Sequence, residues 1–526
     1  MPLPPDATPS GPDRYSADVV IVGAGVAGLY AATRLPDGLD VLIVDKGVTG
    51  ESGSSPYAQG GVAVAFGADD SPELHASDTL RAGDRLCDPL AARTLAVEAP
   101  ACVTDVLEMG ADFDRVEGRE GSMDPRDLHL AREGGMSVAR SVHRADATGA
   151  EMVRVLRAAA APRVTRLVGS VHSLASDGGG RVTGTWVLRA DGTPVVVEAR
   201  AVLLATGGCG GLFAATTNQD GATGDGVALA HRVGAAVRDT EFVQFHPTGL
   251  AVPGSWRFLL TEALRGAGAT LHDAAGERFM VAVHPDAELA PRHIVAKAIL
   301  DADGGAWLDA TGIGDDVLAH EFPTVLHGAR DLGFDLSAER VPVTPAAHYM
   351  VGGVRTDLDA RTSVPGLYAA GEVASTGLHG ANRKASNSLA EALVFGRRAA
   401  RAIARELPDR HGDLGTPPPL RGATPDADQT AALRTRLREG MWCGAGPART
   451  ASSLDEAAAV SASARQELGP VAPHPDAVEL DLAISAAELI VAAARLRTES
   501  RGGHYRLDHP DADPAWAGRH LEHIRL

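Results

Sequence analysis

Metal-ligand spacing is missing from this sequence. Its four cysteines, Cys87, Cys102, Cys209 and Cys443, form no CxxC pair. No metal site is therefore expected, and the thiols are expected to be inert in a reducing cytoplasm. A basic excess is missing too: 49 Lys and Arg stand against 68 Asp and Glu, a formal charge of −19. That argues against nucleic-acid partners, and any anion site must be a local basic pocket in an acidic field. Residues 201–219 lack charge, but their glycines and polar side chains exclude a bilayer span, so no membrane association is expected. The N-terminal "MPLPPDATPSGPDRYSA" has neither an apolar core nor twin arginine. It is expected to be a disordered tail over 1–16, not a signal peptide, which makes the protein cytoplasmic. No clear internal repeat is visible.

What remains is an ordinary globular composition, 44% hydrophobic and 22% charged, over 526 residues. That length predicts two to four domains. "ADVVIVGAGVAGLYAATRL" (17–35) is an apolar run, a glycine turn and a helix pattern, and "LDVLIVDKG" (39–47) is a second apolar run. Together they predict a parallel βαβ unit. Between 168 and 205, three strand-like segments separated by "DGGG" and "ADGT" predict an antiparallel meander that returns to the parallel sheet. "VPGLYAAGEV" (364–373) predicts one further buried strand.

The expected architecture is α/β. A Rossmann-like, two-dinucleotide-binding domain occupies 17–240 and 351–407, and an α+β capping domain is inserted over 241–350. A polar linker follows over 408–429, then a helical C-terminal domain over 430–526.

Gly23-x-Gly25-x-x-Gly28 follows the first strand, and Asp45 ends the second. In a βαβ unit this pattern binds a dinucleotide: the first glycine turns the chain, the second admits the pyrophosphate and the third lets helix and strand pack. The helix N-terminus then faces phosphate charge. A nicotinamide dehydrogenase would go on repeating βαβ units. The meander and the late "LYAAGEV" strand favour FAD instead. Ser386, Asn387 and Ser388 precede an amphipathic helix, where they are expected to act as caps. The helix dipole adds a favourable end for the electron-rich edge of a flavin.

"YAQGG", "TGDG", "QFHPT", "LLTEALRG", "APRHIVAKAI", "PAAHYMVGG", "GLHGANRKASNSL" and "ESRGGHY" occur in this order along nearly the whole chain. In these segments the sequence resembles the succinate dehydrogenase/fumarate reductase flavoprotein superfamily, and within it most closely the L-aspartate oxidases. The resemblance implies an FAD site built from Gly23, Ala24, Gly25, Val26, Ala27, Gly28, Asp45, Lys46, Ser54, Ser55, Tyr57, Ala58, Gln59, Gly60, Gly61, Asp225, Glu372, Ser388 and Leu389. Covalently flavinylated relatives have a histidine where this chain has Ser54. Serine offers no imidazole for the link, so noncovalent FAD is expected.

A dicarboxylate needs at least two cationic or donor sites, and guanidinium is a planar fork for carboxylate. The resemblance implies that His246 and His348 bind one substrate carboxylate, with Thr261, Glu262 and Gln244 beside it. Arg383 clamps the other carboxylate. Arg292 is the family's proton-transfer residue, and because arginine is almost never neutral it needs a relay. The implied reaction oxidises L-aspartate to iminoaspartate and passes electrons to dioxygen, giving hydrogen peroxide, or to fumarate. It is the first step of de novo NAD biosynthesis, and a quinolinate synthase would consume the imine.

"HLAREGGMS" (129–137) sets one acid, Glu133, before two glycines. Aspartate differs from succinate by an α-ammonium, and a carboxylate is its natural partner; the resemblance implies that Glu133 is that carboxylate. Met136, Lys384 and Val351 depart from the family pattern. A succinate dehydrogenase or fumarate reductase subunit shares the pocket, but Ser54 counts against it. A non-enzymatic flavin module would not need the carboxylate-binding groups.

Overall fold

The computed structural model describes residues 13–47, 53–252, 258–423 and 426–525. Of the expected tail, 1–12 lie outside the described residues. Residues 13–16 correct the expectation, because they are the start of the strand Asp13–Val22. Asp13 to Ala17 pair in register with Val195 to Ala199, so strand pairing rather than side-chain hydrophobicity orders them.

That first strand is central to the main sheet. It runs parallel to Val41–Asp45 on one side and to Pro194–Leu204 on the other. Val19, Val20 and Ile21 are fully buried, as the unbroken apolar run requires of a strand covered on both faces. The expected meander is present: Ser170–Ser176, Val182–Leu188 and Pro194–Leu204 are successive antiparallel neighbours. The late strand, Leu367–Ala369, adds in parallel to Pro194–Leu204. Among the described residues this sheet has seven strands.

The helix Val26–Arg34 packs against the long helix Asn387–Glu406, whose Leu389, Leu393, Val394 and Phe395 share its core. The sheet's other face shares a core with the C-terminal helices Ala427–Ala445, Ala451–Leu468 and Pro475–Leu496.

A second unit has its own core. Its antiparallel sheet runs in the order Val243–Leu250, Val341–Met350, Ala306–Asp309, Thr270–Asp273. Val243 pairs with Met350, so the chain enters and leaves this unit at neighbouring points. Among the described residues no helix is long and apolar enough to cross a membrane, and no cluster of His, Cys, Asp and Glu could hold a metal ion.

Candidate active site

The glycine turn is sterically committed. Gly23 has φ +104°, and a Cβ there would lie 2.3 Å from the Ala205 carbonyl oxygen; at Gly28 it would lie 2.2 Å from the Gly23 oxygen. No side chain caps the helix at Gly25, and the Val26 N–H donates to Ser55 Oγ at 3.2 Å. A glycine turn that opens a helix N-terminus at the end of a buried parallel strand fits a dinucleotide pyrophosphate.

Lys46 Nζ lies 2.9 Å from Asp225 Oδ2 and 2.8 Å from Glu479 Oε2. Burial opposes its charge, but the two carboxylates outweigh burial and hold Lys46 above the usual lysine value. Glu479 comes from the C-terminal helix Pro475–Leu496 and ties that unit to the cradle. Glu372 is half-buried and accepts from the Met350 N–H at 2.8 Å; loss of solvent around it pushes its carboxyl up to about 7. Gly208 makes room for it, since a Cβ there would lie 2.0 Å from Glu372 Oε1. Asp45 ends its strand as expected, and Tyr57 is 56% exposed. Gln59 donates to the Leu259 carbonyl at 3.1 Å, reaching the inserted unit.

The expectation for Ser386, Asn387 and Ser388 needs correction. The helix Asn387–Glu406 carries no side-chain cap at Ser386, which sits in the left-handed region at φ +61°. Each side chain is turned elsewhere: Ser386 Oγ to Glu133, Asn387 to His75 and Thr79, and Ser388 Oγ to Arg383 Nε. For Ser386 and Ser388 the capping role loses because buried Glu133 and Arg383 need partners more than the helix end does; Asn387 instead joins the buried polar pair His75 and Thr79. The uncapped first turn stays available for an anionic or carbonyl group, which fits the flavin edge.

Arg292 and Arg383 meet at one amide. Gln244 Oε1 accepts from Arg292 Nη1 at 3.0 Å and from Arg383 Nη1 at 3.2 Å. Its Nε2 donates to Asn382 Oδ1 and to the Arg383 carbonyl. Burial, then Arg292, lowers Arg383 to about 10. Its guanidinium carbon lies 4.9 Å from the Tyr349 ring centroid, and the Tyr349 hydroxyl donates to Glu391 at 2.9 Å.

The His246 and His348 rings are 5.0 Å apart. His246 Nδ1 accepts from the Thr248 N–H at 3.2 Å, so the proton of the neutral ring belongs on Nε2, which is buried and has no partner among the described residues. Burial and then Arg292 hold both imidazoles neutral, well below the usual histidine value. The pocket thus offers two guanidinia and an orphaned imidazole donor, a set that accepts carboxylates.

Arg292 also meets an acid and a second arginine. Arg292 Nε donates to Glu262 Oε2 at 2.6 Å, and Arg265 Nη2 lies 3.8 Å from the same oxygen. Burial would raise Glu262, but Arg292 and Arg265 outweigh it and hold the carboxyl at about 2. Thr261 is the N-cap of the short helix Glu262–Gly266.

Glu133 is 7% exposed and is not a solvated loop charge. Its Oε2 accepts from Ser386 Oγ at 2.6 Å and its Oε1 from Ser141 Oγ at 3.3 Å. The following Gly134 is required: its N–H donates to Glu262 Oε1 at 2.9 Å, and a Cβ there would lie 2.3 Å from that oxygen. The loop therefore joins Glu133 to the Glu262–Arg292 pair. Gly60 flanks Glu133 from the cradle side, with a Cβ position 3.6 Å from Oε1.

Sequence reasoning missed Ser141, Arg265, Tyr349 and Glu479. Only Arg265 and Tyr349 stand in segments whose pattern could have found them. A cleft of about 710 Å³ opens behind the helix Arg292–Asp301, lined by His293, Lys297, Arg501 and Tyr505 among others; none of the dicarboxylate groups lines it.

Residues 18–389 match the FAD binding domain family, and 434–523 match the fumarate reductase flavoprotein C-terminal family. The chain is 46% identical to an L-aspartate oxidase of Streptomyces coelicolor, with 96% of this chain and 91% of the relative covered. It is 44% identical to that of Caulobacter vibrioides, with 94% of each covered. Among solved structures it is similar to the E. coli quinol fumarate reductase flavoprotein FrdA, with TM-score 0.87, 29% identity and coverage of 98% and 96%. It is also similar to Mycobacterium smegmatis Sdh1, with TM-score 0.81, 33% identity and coverage of 97% and 92%.

Proposed function

Because this chain belongs to the L-aspartate oxidase family of FAD-dependent flavoproteins, we propose that it oxidises L-aspartate to iminoaspartate, with fumarate or dioxygen as electron acceptor. The observation that carries this reading is the convergence of Arg292 and Arg383 on Gln244 Oε1, across a pocket that also holds the buried carboxylate Glu133.

Arg383 clamps one substrate carboxylate, pre-oriented by Tyr349, Ser388 and Gln244. His246 Nε2–H and His348 receive the other as neutral donors. Glu133 takes the α-ammonium. Fixing all three groups presents Cα in a single orientation, which can supply several kcal/mol of the barrier. Arg292 moves a proton in fumarate reduction, with Glu262 and Arg265 behind it as the exchange route. The Gly23–Gly28 turn, Lys46, Asp225, Glu372 and the uncapped helix end would hold FAD, which when bound would supply the two-electron acceptor.

The imine is hydrolytically unstable, so an enzyme that consumes it, a quinolinate synthase in de novo NAD biosynthesis, is the expected functional partner in the cytoplasm. Anaerobic flavin bleaching with L-aspartate, D-aspartate, succinate and glutamate tests the reading. Rapid bleaching by L-aspartate is expected, and faster bleaching by succinate would overturn it.

Ser54 carries no imidazole, and its side chain makes no cap bond at the short helix Ser55–Tyr57. Acid or heat denaturation is therefore expected to release intact FAD. Flavin still attached to the denatured polypeptide on a gel would contradict this.

A further inference from the structure

Ser386 is a serine in a glycine conformation. At φ +61° and ψ −5° it lies in the left-handed region, where a Cβ is disfavoured. Capping does not offset that cost, because its side chain makes no cap bond to the helix Asn387–Glu406. Glycine would suit this backbone better, so the hydroxyl calls for a use. Ser386 is 4% exposed, and its Oγ donates to Glu133 Oε2 at 2.6 Å.

A small three-stranded sheet holds this contact in place. Its central strand, Ser141–Val142, pairs with Val62–Ala63 on one side and with Leu130–Ala131 on the other. Glu133 follows the second edge strand by two residues. At the first edge, the Ala63 N–H donates to the Ser386 carbonyl at 2.9 Å. Ser141 stands opposite both Ala63 and Ala131, with its Oγ 2.9 Å from Ser386 Oγ and 3.3 Å from Glu133 Oε1. Gly61 makes room for it, since a Cβ there would lie 2.3 Å from Ser141 Oγ. Both hydrogen-bond partners of the Glu133 carboxylate among the described residues are thus neutral hydroxyls. Neutral donors fix a carboxylate without discharging it, whereas a paired lysine or arginine would compete with an incoming cation.

We propose that Ser386 is a positioning residue for aspartate selectivity. Backed by Ser141, it fixes the Glu133 carboxylate where the α-ammonium arrives and leaves the charge free to meet it. This rests on the assignment of Glu133 to the α-ammonium. On that reading the arginines and histidines meet groups that succinate shares, so selectivity depends on where this one carboxylate is held. A glutamate side chain otherwise spreads over several rotamers, and the hydroxyl bond removes that freedom before the substrate arrives.

The test is a double-substitution cycle in the full-length holoenzyme, with FAD content measured in all four forms. Ser386→Gly accommodates the left-handed backbone and removes the hydroxyl. It is expected to lower kcat/KM for L-aspartate about 10-fold, as for one hydrogen bond to a charged group. In a Glu133→Gln background the same change is expected to cost less than about 2-fold, because the charge it positions is gone. A purely structural or flavin-binding role for Ser386 would cost the same in both backgrounds. Equal losses therefore overturn the proposal, and so does parental kcat/KM in Ser386→Gly. If Ser386→Gly fails to hold FAD, Ser141→Ala replaces it in the cycle, and equal losses in the two backgrounds overturn the proposal there too. Unchanged aspartate kinetics in Glu133→Gln alone would instead defeat the assignment of Glu133, a separate outcome.

Discussion

Arg292→Leu is expected to lower turnover with fumarate by about 10²–10⁴-fold, the range that one positioned proton-transfer group contributes, and to lower turnover with L-aspartate as well, because Arg292 shares with Arg383 the Gln244 amide that orients it. Arg292 touches both Glu262 and Gln244, so it joins the substrate pocket to the exchange route. Leucine also strips Glu262 of its closest cation, leaving Arg265 at 3.8 Å and the Gly134 N–H. FAD content and thermal stability must therefore be checked beside the rates. Arg383→Leu makes the contrast. It leaves a substrate carboxylate unclamped, so binding should weaken by about 2–5 kcal/mol, as for a lost desolvated charge pair. The loss then appears mainly in KM and in the Kd for succinate. Fumarate reduction at the parental rate in Arg292→Leu would end its assignment to proton transfer. A parental Kd for succinate in Arg383→Leu would end its assignment as the clamp.

The sequence made some layers of this site readable and hid others. The turn Gly23–Gly28 was readable because its chemistry is local: one strand, one turn and one helix determine it. The meander was readable from apolar segments punctuated by glycine turns. Residues 13–16 were not, because Arg14, Tyr15 and Ser16 owe their order to pairing with Val196, Val197 and Glu198, far along the chain. Glu479 was hidden for the same reason, since Lys46 is its partner across the fold.

Ser386 shows a different limit. Its position before a helix predicts a cap, and only the three-dimensional arrangement reveals that Glu133 competes for the hydroxyl and wins. Lys384 was visible as an odd charge among motif residues, while its burial was not. Local pattern thus located the segments that build the pocket. Which atom each side chain serves depends on contacts between segments, and spacing does not encode those.

Glu133→Gln is expected to lower kcat/KM for L-aspartate by about 10–100-fold, the cost of a charge-assisted hydrogen bond of about 1.5–3 kcal/mol. Glutamine fills the same volume and its oxygen can still accept from Ser386, so the fold should survive. What is lost is the negative charge facing the α-ammonium. On the proposed reading that charge discriminates aspartate from succinate, which would offer the same two carboxylates to Arg383 and the histidines. Fumarate has no ammonium, so its reduction should persist, and removing an anion beside a dianion favours its binding. The selectivity ratio between aspartate and fumarate is therefore the quantity to measure. The loop gives this experiment its sharpest control. Gly134, the next residue, bonds Glu262, so damage to the loop as a whole would reach Arg292 and depress both activities together. Parallel loss would assign Glu133 to loop architecture. Loss confined to aspartate would assign it to the substrate nitrogen, because only there do the two reactions differ in what the pocket must hold.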